Sequence, residues 1–142
     1  MASVQRIKLS VTKKTAFVQK AKRDIASLLR ENKDEKAKIR VEGIIREDFN
    51  IEALEIVELI CELLAQRLNL IVNSESCPED LYESVSTLIW AADRLEIAEL
   101  QEVKNQFQKK YGTEFIEDAK QDKKRTNGRN TVDPRVKNKL SV

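Results

Sequence analysis

The chain has 142 residues, of which 41% are apolar, 35% charged and 5% aromatic, with three Gly and two Pro. That composition describes one domain with a modest core, rich in helix formers and poor in strand residues. The net charge is +2 with no histidine, so the commonest general base is missing and two cysteines cannot make an ordinary zinc site.

No apolar run reaches 18 residues, and no basic-then-apolar signal segment opens the chain, so a soluble cytoplasmic protein is expected. Cys61 lies in the densest apolar run and reads as a buried, reduced thiol. The small net charge hides a strong segregation. Residues 1–40 hold 12 Lys/Arg against 4 Asp/Glu, residues 41–100 hold 3 against 14, and residues 101–142 hold 11 against 6. Such blocks speak to partners and assembly more than the total does.

The first predicted helix runs from about Ser3 to Asn32. Val4, Ile7, Val11, Val18, Ala21, Ile25 and Leu28 form one apolar stripe, interrupted only by Lys14. Much of its remaining surface is basic: Arg6, Lys8, Lys13, Lys20, Lys22, Arg23 and Arg30. A tight turn near Asn32 to Asp34, with Asp34 as N-cap, leads into a second helix from about Glu35 to Val72. Two long helices so closely joined make an antiparallel hairpin. From Phe49 onward, Ile51, Leu54, Ile56, Val57, Leu59, Ile60, Leu63, Leu64, Leu68 and Ile71 cover more than one stripe, so later helices must pack on this half.

Pro78 suits the first turn of a third helix carrying Leu81, Val85, Leu88, Ile89 and Ala92, with Trp90 beside the stripe at a helix junction. Leu100, Val103 and Phe107 mark a fourth. YGTEF reads as a stop at Gly112 and a restart capped by Thr113, with Phe115 and Ile116 anchoring a further turn. Residues 1–120 therefore form the helical domain. Residues 121–142 read as a basic linker, QDKKRTNGRN, and a small helix capped at Thr131 or Asp133 with Pro134 in its first turn, carrying Val136 and Leu140.

Within the second helix, Asp48, Glu52, Glu55, Glu58 and Glu62 fall in an arc of roughly 120° at 100° per residue. Three readings compete for this row: a solvated face, a docking face for a basic partner, and a catalytic or hard-metal site. A regular row on one helix supplies neither a pocket nor unlike environments for two acids, which counts against catalysis. Just upstream, RVEGIIRED places Glu42 and Arg46 at i,i+4 with Arg40, Glu47 and Asp48 nearby. Gly43 in a helix interior costs about 1 kcal/mol against Ala and suggests close approach to the backbone. The basic first helix either offsets this acidic neighbour or tracks an anionic surface. It lacks interleaved aromatics and a nucleic-acid module, which argues against sequence readout.

RVEGIIRED followed by EALEIVELICELLAQR resembles the increased sodium tolerance family of ESCRT-III-like proteins, whose pattern is RVE-x-IIRED and then a run like EILELYCELLLAR. KKT and AKRDIA in the first helix, ESVSTLIWAA in the third, KKYGTEF in the fourth and the closing KLSV follow in the family's order. The resemblance implies an all-α, ESCRT-III-like fold: a long antiparallel helical hairpin with shorter helices packed against one half. It implies no catalysis and no cofactor. It implies binding to other ESCRT-III subunits, especially charged multivesicular body proteins, self-assembly, and co-assembly into filaments on membranes. Regulation of the vacuolar protein sorting AAA ATPase in endosomal sorting, membrane scission and cytokinesis is also implied, with a place at endosomal membranes and the midbody.

The candidate partner-binding residues are Arg40, Glu42, Arg46, Glu47, Asp48, Glu52, Glu55 and Glu62. The candidate membrane or polymer contacts are Arg6, Lys8, Lys13, Lys14 and Lys20. The family usually has His where Gly43 stands, and more residues before the first helix. It also has a later helix that folds back on the core, and C-terminal motifs for microtubule-interacting-and-transport domains. The expectation is a domain shortened at both ends, engaging the ATPase indirectly. The alternative is a generic helical scaffold using its basic first helix on nucleic acid or anionic surfaces.

Overall fold

The computed structural model describes residues 2–122 and 131–140. Two long helices, α1 (Ala2–Arg30) and α2 (Asp34–Gln66), form the hairpin. The remaining elements are α3 (Leu68–Asn73), a 3-10 turn (Glu79–Leu81), α4 (Tyr82–Ala92), α5 (Ala98–Tyr111), α6 (Thr113–Lys120) and α7 (Pro134–Leu140). The fold is all-α, and the short helices pack on the half of α2 that the apolar pattern marked.

The hairpin turn is made by Asn32, which takes the left-handed conformation at φ 60°. Lys33 N–H donates to Leu28 O at 2.8 Å and Asn32 N–H to Leu29 O at 3.1 Å. These are the two bonds of a Schellman C-cap, with Asn in the place glycine most often fills. The expected N-cap shifts by one residue: Asp34 is the first helical residue, Lys33 precedes it, and no side chain caps the helix.

α2 ends earlier than its apolar pattern predicts. Arg67 adopts φ −100° and ψ 15°, separating α2 from the single turn and a half of α3. Pro78 likewise sits before the 3-10 turn, in extended geometry at ψ 137°, and not inside a helix. YGTEF stops and restarts as read, because Gly112 at φ 91° ends α5, but Thr113 does not cap α6: it is the first helical residue, Gly112 stands at the N-cap, and no side chain caps the helix.

The core lies between α2 and α4, with α1, α5, α6 and α7 closing around them. Val4 and Ile7 of α1, Leu54, Val57, Cys61 and Leu64 of α2, and Val85, Leu88 and Ile89 of α4 are buried in one cluster with Leu100, Ile116 and Val136. Cys61 and Cys77 are not joined by a disulfide. Trp90 is buried at the α4–α5 junction, with the Arg94 guanidinium 3.7 Å from its ring centroid. Tyr82, Phe115, Tyr111 and Phe107 form a run of ring contacts at 5.2 to 6.0 Å that joins α4, α5 and α6.

Residues 123–130 of the expected linker lie outside the described residues. At its two ends the chain is strongly anchored. Asp122, at φ 50° and buried, accepts from Val132 N–H at 2.8 Å and pairs with Lys137. Asp133 caps α7 by accepting from Arg135 N–H at 2.9 Å, while its own N–H donates to Thr87 Oγ1 at 2.8 Å. Val132 and Val136 are buried, so α7 is seated on α2 and α4 by both apolar and polar contacts.

Gly43 is exposed, and a Cβ built there meets nothing within 4 Å. The close backbone approach suggested by a glycine in mid-helix is therefore absent. Gly43→Ala is expected to stabilise the fold by about 0.5–1 kcal/mol, read as a higher denaturation midpoint. A loss of stability would show that this glycine is needed where it stands. Ile7→Ala, at a fully buried seam position, is expected to cost about 2–5 kcal/mol in the same assay, and an effect within experimental error would contradict the α1 seating.

Candidate partner-binding surface

The carboxylate row of α2 faces cations supplied by the chain itself. Lys8 Nζ lies 3.7 Å from both Glu58 Oε1 and Glu62 Oε1. Lys14 Nζ donates to Glu47 Oε1 at 2.6 Å in a half-buried setting. Lys139 of α7 pairs with Glu52 and approaches the Phe49 ring at 5.8 Å. Arg40 reaches back across the hairpin to Asp24 at 3.6 Å. Lys14 thus interrupts the α1 stripe because its side chain must meet Glu47 across the seam.

The candidate residues consequently divide. Glu47, Glu52, Glu62 and Arg40 are each engaged in an ion pair between the fold's own helices. Glu42, Arg46 and Glu55 are exposed, Asp48 is half-buried, and no ion pair joins Glu42 to Arg46 despite their spacing. On α1, Lys8 and Lys14 turn toward α2, while Arg6, Lys13 and Lys20 are exposed. The solvent-exposed pairs contribute little stability, roughly 0–1 kcal/mol each, and act mainly on geometry.

Apolar surface is left uncovered at several places on the hairpin, two of them grooves. At its closed end, Ile25, Leu29, Ala37 and Val41 line an open groove of about 530 Å³, with Ile39 70% exposed nearby. Toward the other end, Ile56, Leu59, Ile60 and Leu63 of α2 form the floor of a smaller groove of about 210 Å³. Its walls are Glu83, Ser84 and Thr87 of α4 and Asp133 and Arg135 of α7. Leu59, which the apolar pattern assigns to packing, is 65% exposed there because α4 and α7 pass on either side of it. Phe17, also missed, is 63% exposed and lies off the α1 stripe by its position on the helical wheel, the one signal that could have found it.

Among the described residues, no group of three His, Cys, Asp or Glu is placed to hold a metal ion, and no helix is long and apolar enough to cross a membrane. The titrating groups that stand out are structural. Burial alone would raise Asp133, but hydrogen bonds from the Arg135 side chain and backbone, with its charge, outweigh burial and hold the carboxyl below its ordinary value. Asp93 behaves alike: burial opposes ionisation, and Lys104, at 2.7 Å, with Gln101 prevails.

Because the folded-state value of Asp133 is depressed, its stabilising contribution is complete above the ordinary carboxylate pKa of about 3.9 and is lost as pH falls through the lower folded value. Protection of the α7 amides, measured against their intrinsic exchange rates at each pH, is expected to fall below about pH 4 before that of the α4 amides does. Simultaneous loss in both helices would show that Asp133 does not hold α7.

Comparison with known proteins fixes the relationship. The family described as "Ist1: Regulator of Vps4 activity in the MVB pathway" matches residues 1–142. An IST1-like protein of Dictyostelium discoideum is 39% identical over 139 residues, which is 98% of this chain and 36% of that protein. The vacuolar protein sorting-associated protein IST1 of Saccharomyces cerevisiae is 36% identical over 123 residues, covering 80% of this chain and 41% of its own length. The chain therefore spans about four-tenths or less of these relatives. The crystal structure of the S. cerevisiae Ist1 N-terminal domain in complex with the Did2 MIM motif superposes with a TM-score of 0.86 at 30% identity, covering 98% of this chain and 76% of that one. The chain belongs to the Ist1 family and has the fold of its N-terminal domain.

Proposed function

We propose that the chain is a non-enzymatic ESCRT-III-like subunit that binds other ESCRT-III proteins and regulates the Vps4 ATPase in the multivesicular-body pathway. The observation that carries this is the match over nearly the whole chain to a domain that was crystallised with the MIM motif of Did2. A rigid helical body with uncovered apolar grooves and opposite charge blocks suits a protein that works by binding. The helical domain is residues 1–120, to which 121–142 add the basic segment and α7.

Co-assembly on membranes, a place at endosomal membranes or the midbody, and indirect action on the ATPase belong to the same reading. The exposed cations Arg6, Lys13 and Lys20 support contact with a polymer neighbour or an anionic membrane. The acidic face supports docking of a basic partner, with Glu55 its cleanest member because it is exposed and in no ion pair among the described residues. Glu42, Arg46 and Asp48 extend that face, and Glu47, Glu52 and Glu62, paired within the chain but partly exposed, add charge to it.

A fluorescent peptide of the Did2 MIM motif is expected to bind the purified chain saturably. Absence of binding at any soluble concentration would remove the reading. Reversing Glu52, Glu55 and Glu62 to Lys is expected to preserve helix content by circular dichroism while weakening capture of ESCRT-III partners. Unchanged capture would return the row to a purely internal and solvated role.

A further inference from the structure

Where α1, α2 and the segment joining α4 to α5 meet, a pocket of about 330 Å³ opens that is separate from both apolar grooves. Ser10 and Lys14, one helical turn apart on α1, line it together with Asn50 of α2 and with Arg94 and Glu96 of the joining segment. Leu54 and Ile97 supply its apolar wall. Two cations against one carboxylate leave the lining with a positive excess.

These groups keep hydrogen-bonding capacity that the fold does not use. The Arg94 guanidinium lies 3.7 Å from the Trp90 ring centroid, and its Nη1 donates to Trp90 O at 2.9 Å. Stacking and that bond hold its plane, while Nε and Nη2 make no hydrogen bond to the described residues. A guanidinium held flat with one edge open is a fork for phosphate or carboxylate oxygens. Lys14 Nζ gives one of its three protons to Glu47 at 2.6 Å, which fixes the ammonium in place and leaves two to donate. Glu47 takes part of that charge, so Arg94 carries most of the attraction for an anion. The Ser10 hydroxyl is a third donor.

Asn50 adds an independent sign of a ligand. Its Oδ1 is buried and has no hydrogen-bond partner among the described residues. An unpaired buried acceptor costs stability, and a side chain that weakens the fold where it stands points to a role outside the fold. The amide turns easily about χ2, so either end can be brought to the pocket. An O–H group in the pocket would satisfy the oxygen.

We propose that this pocket binds the phosphate monoester of a small polyol, either as a free metabolite or as a lipid headgroup. Arg94, Lys14 and Ser10 supply three donor groups for the three terminal phosphate oxygens. The ligand's hydroxyls donate to Asn50 Oδ1 and to the Glu96 carboxylate, and Leu54 and Ile97 cover its carbon face. A carboxylate has two oxygens for those three groups, which favours a phosphate over a free amino acid. A cavity of ~150 Å³ holds a benzene ring, so about 330 Å³ has room for a six-membered ring with its phosphate. Bound there, the ligand ties α1 and α2 to the segment between α4 and α5. The site uses neither the α2–α4 groove nor the outer acidic face, and stands apart from the function proposed above.

Isothermal titration calorimetry with inositol monophosphate, glycerol phosphate, inorganic phosphate and glutamate tests this. Inositol monophosphate is expected to bind one to one, roughly tenfold tighter than inorganic phosphate or glutamate. Arg94→Gln, at an exposed position, is expected to weaken binding by roughly tenfold or more, and Arg94→Lys by less, with helix content unchanged by circular dichroism. Asn50→Leu is expected to raise the denaturation midpoint of the free chain and to bring inositol monophosphate down to the affinity of inorganic phosphate. Capture on phosphatidylinositol monophosphate vesicles that the soluble ester competes away would assign the source as a headgroup. Binding of the soluble esters without vesicle capture would assign it as a free metabolite, and either result supports the site. No binding of the soluble esters up to about 10 mM, or wild-type affinity in Arg94→Gln or Asn50→Leu, would overturn the proposal. Glutamate or inorganic phosphate binding more tightly than the esters would overturn it as well.

Discussion

The structure depends on α2 being buried from two sides. Its lower half carries apolar residues over more of its circumference than one neighbour can cover, and leaving Leu54, Val57 and Cys61 wet would forfeit roughly 1.5–3 kcal/mol for each large side chain. α1 seals one flank through Val4 and Ile7, and α4 seals the other through Val85, Leu88 and Ile89. The remaining short helices follow from this. α5 and α6 pack on α4 through the Tyr82, Phe115, Tyr111 and Phe107 rings, and α7 closes over α2 and α4 through Val136.

Charge segregation is the second layer of the same design. The basic block at 1–40 and the acidic block at 41–100 lie side by side in the hairpin, so part of each neutralises the other through Lys8, Lys14 and Arg40. What remains on the outside is still segregated, with Arg6, Lys13 and Lys20 on α1 and Glu55 and Glu83 beside the groove. Such segregated surfaces suit action by binding. Long-range attraction between such a surface and a partner of opposite charge favours encounter.

The helices and their hairpin arrangement were legible because one apolar stripe on α1 and a wider one on α2 are local, periodic signals. The family was legible from RVEGIIRED and the ordered segments that follow it. The break at Arg67 was not, because no Gly or Pro marks it and the neighbouring bonds, Arg67 N–H to Leu63 O and Ile71 N–H to Arg67 O, keep helical spacing on both sides. The burial of Asp122 was also invisible. Its partners Val132 and Lys137 lie ten and fifteen residues away across a polar segment that reads as linker. Leu59 illustrates a different limit: periodicity shows which face of a helix is apolar, but not whether the flanking helices meet over it. The acidic row could not be divided into internal and outer members from sequence, since that division depends on which α1 and α7 cations arrive opposite each carboxylate.

A hairpin sealed along its inner seam, with Phe17, Ile39 and Leu59 left outside, makes a single pattern testable by hydroxyl-radical footprinting. In the dilute chain, Phe17, Ile39 and Leu59 are expected to oxidise readily while Ile7, Leu88 and Val136 stay silent. Oxidation of Val136 as fast as Ile39 would contradict it.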